Sequence, residues 1–400
     1  MKVFKSKYNC SGCTACMNSC PNDAISMVAD SEGFKYPEVD ETKCLDCGLC
    51  LKVCPFHKDY NKGKKPQIPT VYAAKYKDDS VRLSSSSGGM FTALSNYILG
   101  ENGVVYGAAF DDDFRVCHQK AENMVERDKF KGSKYVQSDL GHIFLDVKTE
   151  LDKDRDVLFT GTPCQIAGLR AYLGNKRYEK LILCDLVCHG TPSPLIWNEY
   201  IDLLLKNKKT KLNRFNFRDK GAGWHSSRLY AMFADGSTMY NTPMVDLFDS
   251  IFYQHIALRP SCHACVFTNF DRVSDITMAD FWGIEECKPD FDDNIGVSLV
   301  LLNTIKGKRI FENVKEYLIY ESSGIDECKQ RHLTEPAKPS LKRDIFWKDY
   351  YEHGFEYVAK KYTDYGFINL VKHKIKDNIL KPMLSKLGIM DFVKSKLKSI

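Results

Sequence analysis

No stretch of eighteen or more apolar residues occurs in the 400-residue sequence, so no segment reads as a membrane span. The opening residues, MKVFKSKYNC, contain no apolar core of a secretory signal, and the protein is therefore expected in the cytoplasm. Neither sign of charge dominates. With 57 Lys and Arg against 52 Asp and Glu, the net charge is +5 and the two signs are mixed along most of the length, which gives no footing for nucleic-acid binding. Neither a P-loop nor a G-x-G-x-x-G fingerprint is present.

Cysteine, by contrast, is abundant, at 16 residues. In a reducing compartment so many thiols point to metal ligands or catalysis rather than to disulfides. Eight of them lie in residues 1–60. CSGCTACMNSCP places Cys10, Cys13, Cys16 and Cys20 before Pro21, and CLDCGLCLKVCP repeats the pattern 34 residues on with Cys44, Cys47, Cys50 and Cys54 before Pro55. A repeat of this kind implies two copies of one metal-binding loop.

C-x2-C-x2-C-x3-C-P is the run that holds 4Fe-4S clusters in bacterial ferredoxins, the fourth cysteine reaching the other cluster. One cluster is therefore expected on Cys10, Cys13, Cys16 and Cys54, and the second on Cys44, Cys47, Cys50 and Cys20. Small residues inside the loops (Ser11, Gly12, Thr14, Ala15, Gly48) let backbone N–H groups approach sulfur, which helps set the potential. Structural zinc, the competing reading, takes its ligands as two separated pairs. So small a unit has too few apolar residues to fold unaided, and bound metal would supply the missing stability.

The expected organisation is a bacterial ferredoxin-like domain over 1–60, a polar linker over 61–69, an α/β domain over 70–335, and a basic helical extension over 336–400. In the large domain β-branched runs (VYAAKY, GVVYGAAF, DVLFTG, KLILCDLVC) alternate with helical spacing (MFTALSNYIL, CQIAGLRAYL, PLIWNEYIDLLL). The stretch from FNFRDK to MVDLF reads as an antiparallel meander turning at ADGS. IGVSLVLLN reads as a last strand before a helix around RIFENVKEYL. Residues 370–400 carry eight lysines against two aspartates. They form either a solvated helical tail or a surface for peripheral membrane or partner contact.

Of the other eight cysteines, Cys164 and Cys188 each follow a predicted strand, and Cys262 and Cys265 form a C-x-x-C pair on a loop. Ligands collect at the carboxyl ends of strands, and a helix N-terminus favours the thiolate at Cys164. Together the four make the number a third 4Fe-4S cluster needs, with buried structural cysteine as the alternative for each; Cys184, mid-strand, reads as structural. The run SSSSGGM before a helix and the segment FKGSKYVQS suit an anion or a flavin edge, or are ordinary caps and turns. No residue pattern assigns a catalytic acid or base. His189, beside Cys188, is a candidate proton carrier or a helix-start hydrogen-bonding residue.

SSGGMFTAL, KGSKYVQS, GTPCQIAGLR, CHGTPSP and CHACVFTNFDRVSDITMADFWG, in that order, resemble the blocks of the coenzyme factor-420 hydrogenase/dehydrogenase beta-subunit family, preceded by a two-cluster ferredoxin unit. The likeness covers roughly residues 1–305. It implies a mixed-sheet α/β flavin domain and an FAD-dependent iron–sulfur oxidoreductase. Such an enzyme passes a hydride between a deazaflavin coenzyme or another organic carrier and the flavin, and exchanges electrons with clusters and a redox partner protein. It further implies a third cluster on Cys164, Cys188, Cys262 and Cys265, and FAD contacts from Ser87, Gly88, Gly89, Ser133, Lys134, Tyr135 and Ser138. Arg272 and Asp280 would be site-wall residues or a fold-stabilising ion pair. The alternatives are a flavin-free electron relay, an assembly protein whose metals only hold the fold, and a redox protein serving polysaccharide synthesis.

Overall fold

The computed structural model describes residues 3–57, 68–174, 176, 178–206 and 208–366. Most of the linker expected over 61–69, and the lysine-rich stretch 370–400, lie outside the described residues.

The first strands, β1 (Ile25–Ala29) and β2 (Lys35–Val39), pair antiparallel, with Met27 opposite Pro37. Proline is tolerated because a two-stranded ribbon has only edges. The hairpin turn is built on Asp30, whose carboxylate accepts from the Glu32 and Phe34 amides. Gly33, at φ +80°, is pressed so closely on Leu195 that a Cβ would lie 2.3 Å from the leucine Cβ. The ion pair Glu32–Arg343 ties the same turn to the C-terminal helices.

The remaining strands are β3 (Thr70–Tyr76), β4 (Val104–Phe110), β5 (Val116–Ala121), β6 (Val157–Gly161), β7 (Leu181–Leu186), β8 (Leu212–Asp219), β9 (Arg228–Phe233), β10 (Thr238–Tyr240), β11 (Ile276–Asp280), β12 (Ser298–Leu302) and β13 (Leu318–Ser323). Eight of these form one mixed sheet in the order β13-β3-β12-β11-β7-β6-β4-β5. The inner strands β11, β7, β6 and β4 are parallel, and all other neighbours are antiparallel.

Alternation along the parallel strands splits the core into two layers. Val105, Leu158 and Ile182 face the helices Met90–Gly100 and Ile305–Val314, whereas Val104, Tyr106, Phe159 and Leu183 face the helices Ile143–Asp152 and Pro163–Leu173. A third core centres on fully buried Trp197. There the β8-β9-β10 meander packs against helices Pro194–Leu205 and Leu247–Tyr253, joined by Phe346, Trp347 and Val358 from the C-terminal helices Arg343–His353 and Phe355–Tyr362. The mixed α/β class expected from the sequence is thus the observed one. Among the described residues, no helix is long and apolar enough to cross a membrane.

Several elements depart from the sequence reading. β5, β11, β13 and the β1-β2 hairpin are not among the strands expected from the sequence, and the helix expected around 309–318 begins earlier, at Ile305, and tightens after Val314 into a 3-10 turn over Lys315–Tyr317 before β13. β13 exposes Ile319, Tyr320, Glu321 and Ser322 at the sheet edge, so its polar sequence carries no inward stripe.

A buried histidine makes the stability of this sheet depend on pH below neutral. His118 on β5 engages the Ser138 hydroxyl through Nδ1 at 2.7 Å and the Thr160 carbonyl through Nε2 at 2.9 Å, and burial lowers its pKa to about 4. Because the unfolded chain takes up the proton near pH 6.5 and the folded chain does not, stability falls as the pH drops from 6.5 to 4, by up to about 3 kcal/mol. The drop in melting temperature between pH 7 and pH 5 is therefore expected to shrink in His118→Gln; an unchanged drop assigns it to other groups.

Candidate functional site

The two N-terminal cysteine loops are near-copies in backbone as well as in sequence. Gly12 and Thr14 have φ of 69° and 62°, and Asp46 and Gly48, 34 residues later, have 50° and 69°. Thr14 and Gly48 then start the short helices Ala15–Asn18 and Leu49–Lys52. Two of these four left-handed positions are not glycine, and their recurrence in register shows a conformation imposed by the loop's task. Alternating left-handed residues turn successive N–H groups inward into an anion-binding nest. Amides accordingly reach sulfur: Ala24 N–H donates to Cys20 Sγ at 3.3 Å, and the amides of Ala15, Met17, Leu51 and Phe56 serve Cys13, Cys16, Cys50 and Cys54.

The sulfurs gather in two clefts, each enclosing about 360 Å³ including solvent. One is lined by Cys10, Cys13, Cys16 and Cys54, the other by Cys20, Cys44, Cys47 and Cys50. This is the crossed grouping expected from the repeat. Burial, reinforced by neighbouring thiols, pushes Cys13 up to about 12 and also raises Cys16 well above the usual thiol value. As thiolates they need positive charge placed between them, which an iron–sulfur core supplies. Four thiolates on one zinc, at Zn–S of about 2.3 Å, would stand within about 4 Å of one another. Among the described residues the group whose ligand atoms all lie within 4.8 Å is instead His225, Glu285 and Asp292. The cysteines are spread for a larger group.

A third set forms where the sheet delivers it. Parallel β6 and β7 run in register, Gly161 opposite Asp185, so the loops after them lie side by side. Thr162 caps the helix Pro163–Leu173 through a capping box with Gln165, placing Cys164 in the first turn; Cys188 follows β7. Cys262 lies in the short helix Pro260–Ala264, and Cys265 follows it. Burial first, then the other members of the set, raises the thiols of Cys164, Cys188 and Cys265, the last to about 12. At Cys164 burial acts against the lowering expected from the helix start. Thr162 Oγ1 lies 3.2 Å from Cys164 Sγ, and Thr191 N–H donates to Cys262 Sγ at 3.4 Å. Cys184 is fully buried in the core, as a structural cysteine would be.

The helix that carries Cys164 also touches the first cleft. A Cβ on Gly168 would lie 2.8 Å from both Cβ and Sγ of Cys13. The second cleft faces outward, with Cys47 exposed and Leu45 66% exposed.

The residues expected around FAD are only partly brought together. Ser133 donates through its amide and hydroxyl to Ser86 Oγ, at 2.8 and 3.0 Å, joining the 84–89 and 132–135 loops. Ser87 Oγ donates to the Val297 carbonyl at 2.8 Å. Gly88 is required by packing, since a Cβ would meet the Ala74 carbonyl at 2.4 Å, and Gly89 has φ +90° at the start of Met90–Gly100. Lys134 folds its ammonium onto the carbonyls of Lys129, Lys131 and Gly132, and burial lowers its pKa to about 7. Tyr135 stacks on Phe252, and Ser138 is occupied by His118.

Arg272 and Asp280 do not pair with each other. Arg272 meets Asp185 at 3.0 Å, whereas Asp280 takes Arg218 at 3.1 Å and the Trp224 indole N–H at 2.8 Å. Trp224 stacks on Trp282, over which Arg218 also sits. This group at the carboxyl end of β11 had no signal in the sequence beyond the quoted block. His189 lies 2.6 Å from His255 through their Nε2 atoms and stacks on His332; burial and these neighbours lower its pKa to about 3.

Comparison with known proteins places these features. Residues 9–58 match a 4Fe-4S dicluster domain, and residues 154–327 match the family model for the C terminus of the coenzyme F420 hydrogenase/dehydrogenase beta subunit. The coenzyme F420-dependent sulfite reductase of Methanocaldococcus jannaschii is 30% identical over 197 residues, 48% of this chain and 29% of that protein. Adenylylsulfate reductase subunit beta of Megalodesulfovibrio gigas is 38% identical over 60 residues, 14% of this chain and 35% of that one. A chain of the F420-reducing NiFe hydrogenase complex from Methanosarcina barkeri is similar at a TM-score of 0.45 and 19% identity, covering 76% of this chain and 93% of that one. The chain spans about a third of the length of these two curated relatives.

The matches define an iron–sulfur protein of oxidoreductase type. The chain joins a region that matches a 4Fe-4S dicluster domain to one that is similar to the C terminus of the coenzyme F420 hydrogenase/dehydrogenase beta subunit.

Proposed function

We propose that the protein is an FAD-dependent iron–sulfur oxidoreductase of the cytoplasm. It exchanges a hydride with an organic carrier, a deazaflavin coenzyme or another substrate, and hands electrons singly along 4Fe-4S clusters to a redox partner protein. The observation that carries this reading is the contiguity of the thiol sets. Cys164 and Gly168 lie on one helix, the first in the third set and the second against Cys13 of the first cleft. Such a line of sites moves single electrons, whereas hydride carriers deliver pairs, and bound FAD would supply the conversion between the two. The 84–89 and 132–135 loops, joined through Ser86 and Ser133, are the proposed cradle for it.

A flavin-free relay is the second reading, favoured by one observation: the polar groups of Ser87, Lys134 and Ser138 are already engaged within the protein. Acid extraction of protein purified without oxygen decides between them. About one FAD per chain, bleached by a reduced deazaflavin or nicotinamide, is expected for the enzyme; clusters without flavin leave the relay.

A further inference from the structure

Arg259 is 1% exposed. Its guanidinium donates to the Cys10 carbonyl at 2.8 Å, Gln137 Oε1 at 2.9 Å, the Lys35 carbonyl at 3.0 Å and Cys10 Sγ at 3.8 Å, and sits 4.3 Å above the Tyr36 ring. Among the described residues, no carboxylate oxygen lies within the 4.0 Å ion-pair distance of its nitrogens. Arginine stays charged at any accessible pH, and a buried charge without a counter-ion costs several kcal/mol. The anion this cation answers is accordingly sought in what the neighbouring sulfurs hold.

Those sulfurs come from both sides. On one side is Cys10 of the first cleft. On the other, the Arg259 carbonyl accepts from the Cys262 amide at 2.9 Å, and its own amide donates to the carbonyl of Thr191, whose N–H reaches Cys262 Sγ. Four thiolates outweigh the positive core of an iron–sulfur cube, so a ligated cluster is an anion that becomes more negative on reduction.

Resting on the cluster reading above, we infer that Arg259 is the counter-charge shared by the cluster of Cys10, Cys13, Cys16 and Cys54 and the cluster of Cys164, Cys188, Cys262 and Cys265, and that it raises the reduction potential of both. A fixed cation stabilises the reduced form of each, so both potentials rise together and the driving force between them is kept: in the one-electron step the donor cluster is oxidised, the acceptor reduced, and no other reactant takes part. Among the described residues, the hydrogen bonds of the guanidinium go to Cys10, Gln137 and Lys35 and to none of Cys20, Cys44, Cys47 and Cys50. Arg259 is thus a potential-setting residue.

The competing role is structural, because the same fork ties the Cys10 loop in place, with Gln137 Nε2 donating to the Ser11 carbonyl at 2.9 Å. Arg259→Lys keeps the charge and loses the fork; Arg259→Gln keeps hydrogen bonding and loses the charge; Gln137→Glu leaves the arginine but sets an anion against it. In the full chain purified without oxygen, iron and sulfide are counted first and midpoint potentials are then read by titration followed by electron paramagnetic resonance. Arg259→Gln and Gln137→Glu are expected to make two of three clusters about tenfold harder to reduce, about 59 mV for a one-electron couple, with the third unmoved and Arg259→Lys close to wild type. Unmoved potentials in both charge-altering variants, or Arg259→Lys shifted as far as Arg259→Gln, would overturn the inference. If Arg259→Gln loses iron, Gln137→Glu and Arg259→Lys still decide it. Wild-type protein without clusters would instead sink the underlying cluster reading.

Discussion

Arg272→Ala is expected to destabilise the protein by about 3–5 kcal/mol, because it strands the Asp185 carboxylate in the core. Both side chains of that pair are essentially inaccessible, and burial already raises the Asp185 pKa against the pull of the arginine. Arg272 also donates to the carbonyls of Phe267 and Leu186, at 3.0 and 2.8 Å, and so ties the segment after Cys265 to the end of β7. The melting temperature should fall by roughly 5–15 °C. Asp185→Asn in the same chain should recover part of the loss by removing the unpaired charge. A fall of only a degree or two in Arg272→Ala would show that water reaches the pair.

The second large effect concerns the crossed grouping of the N-terminal cysteines. Cys20→Ser should remove about four irons, and the signal lost should be that of the outward-facing cluster held with Cys44, Cys47 and Cys50, not that of the triplet Cys20 follows in sequence. Cys54→Ser should have the mirror effect on the buried cluster of Cys10, Cys13 and Cys16. Each fourth cysteine follows the short helix that carries the third cysteine of its triplet, and lines the other cleft. Magnetic resonance of dithionite-reduced protein separates the outcomes through the coupling between the two spins, which either variant abolishes. If Cys20→Ser left the outward-facing cluster intact and removed the other, the grouping would be wrong.

The first eight cysteines were legible because ligand spacing within one loop is local, and an offset of 34 residues declares the repeat. The third set was not fixed by spacing. Cys164 and Cys188 meet because parallel β6 and β7 release their loops at one sheet edge, and the bridge between Pro192 and Leu258 brings the distant Cys262 segment beside them. Strands that are buried along their whole length and largely apolar, such as β6 and β12, announced themselves. β11, with Asp280 and Thr277 bound into polar networks, and the exposed edge β13 did not. Arg259 gave no sign beyond standing three residues before Cys262, since an unpaired buried charge is visible only once its surroundings are.

The account rests on three groups of four thiols, each holding a cube of iron and sulfide. The most direct test is the iron and acid-labile sulfide content of the full chain purified without oxygen. The account predicts about twelve of each per chain, with a brown chromophore bleached by dithionite. Zinc in place of iron, or a colourless protein with no labile sulfide, would contradict it.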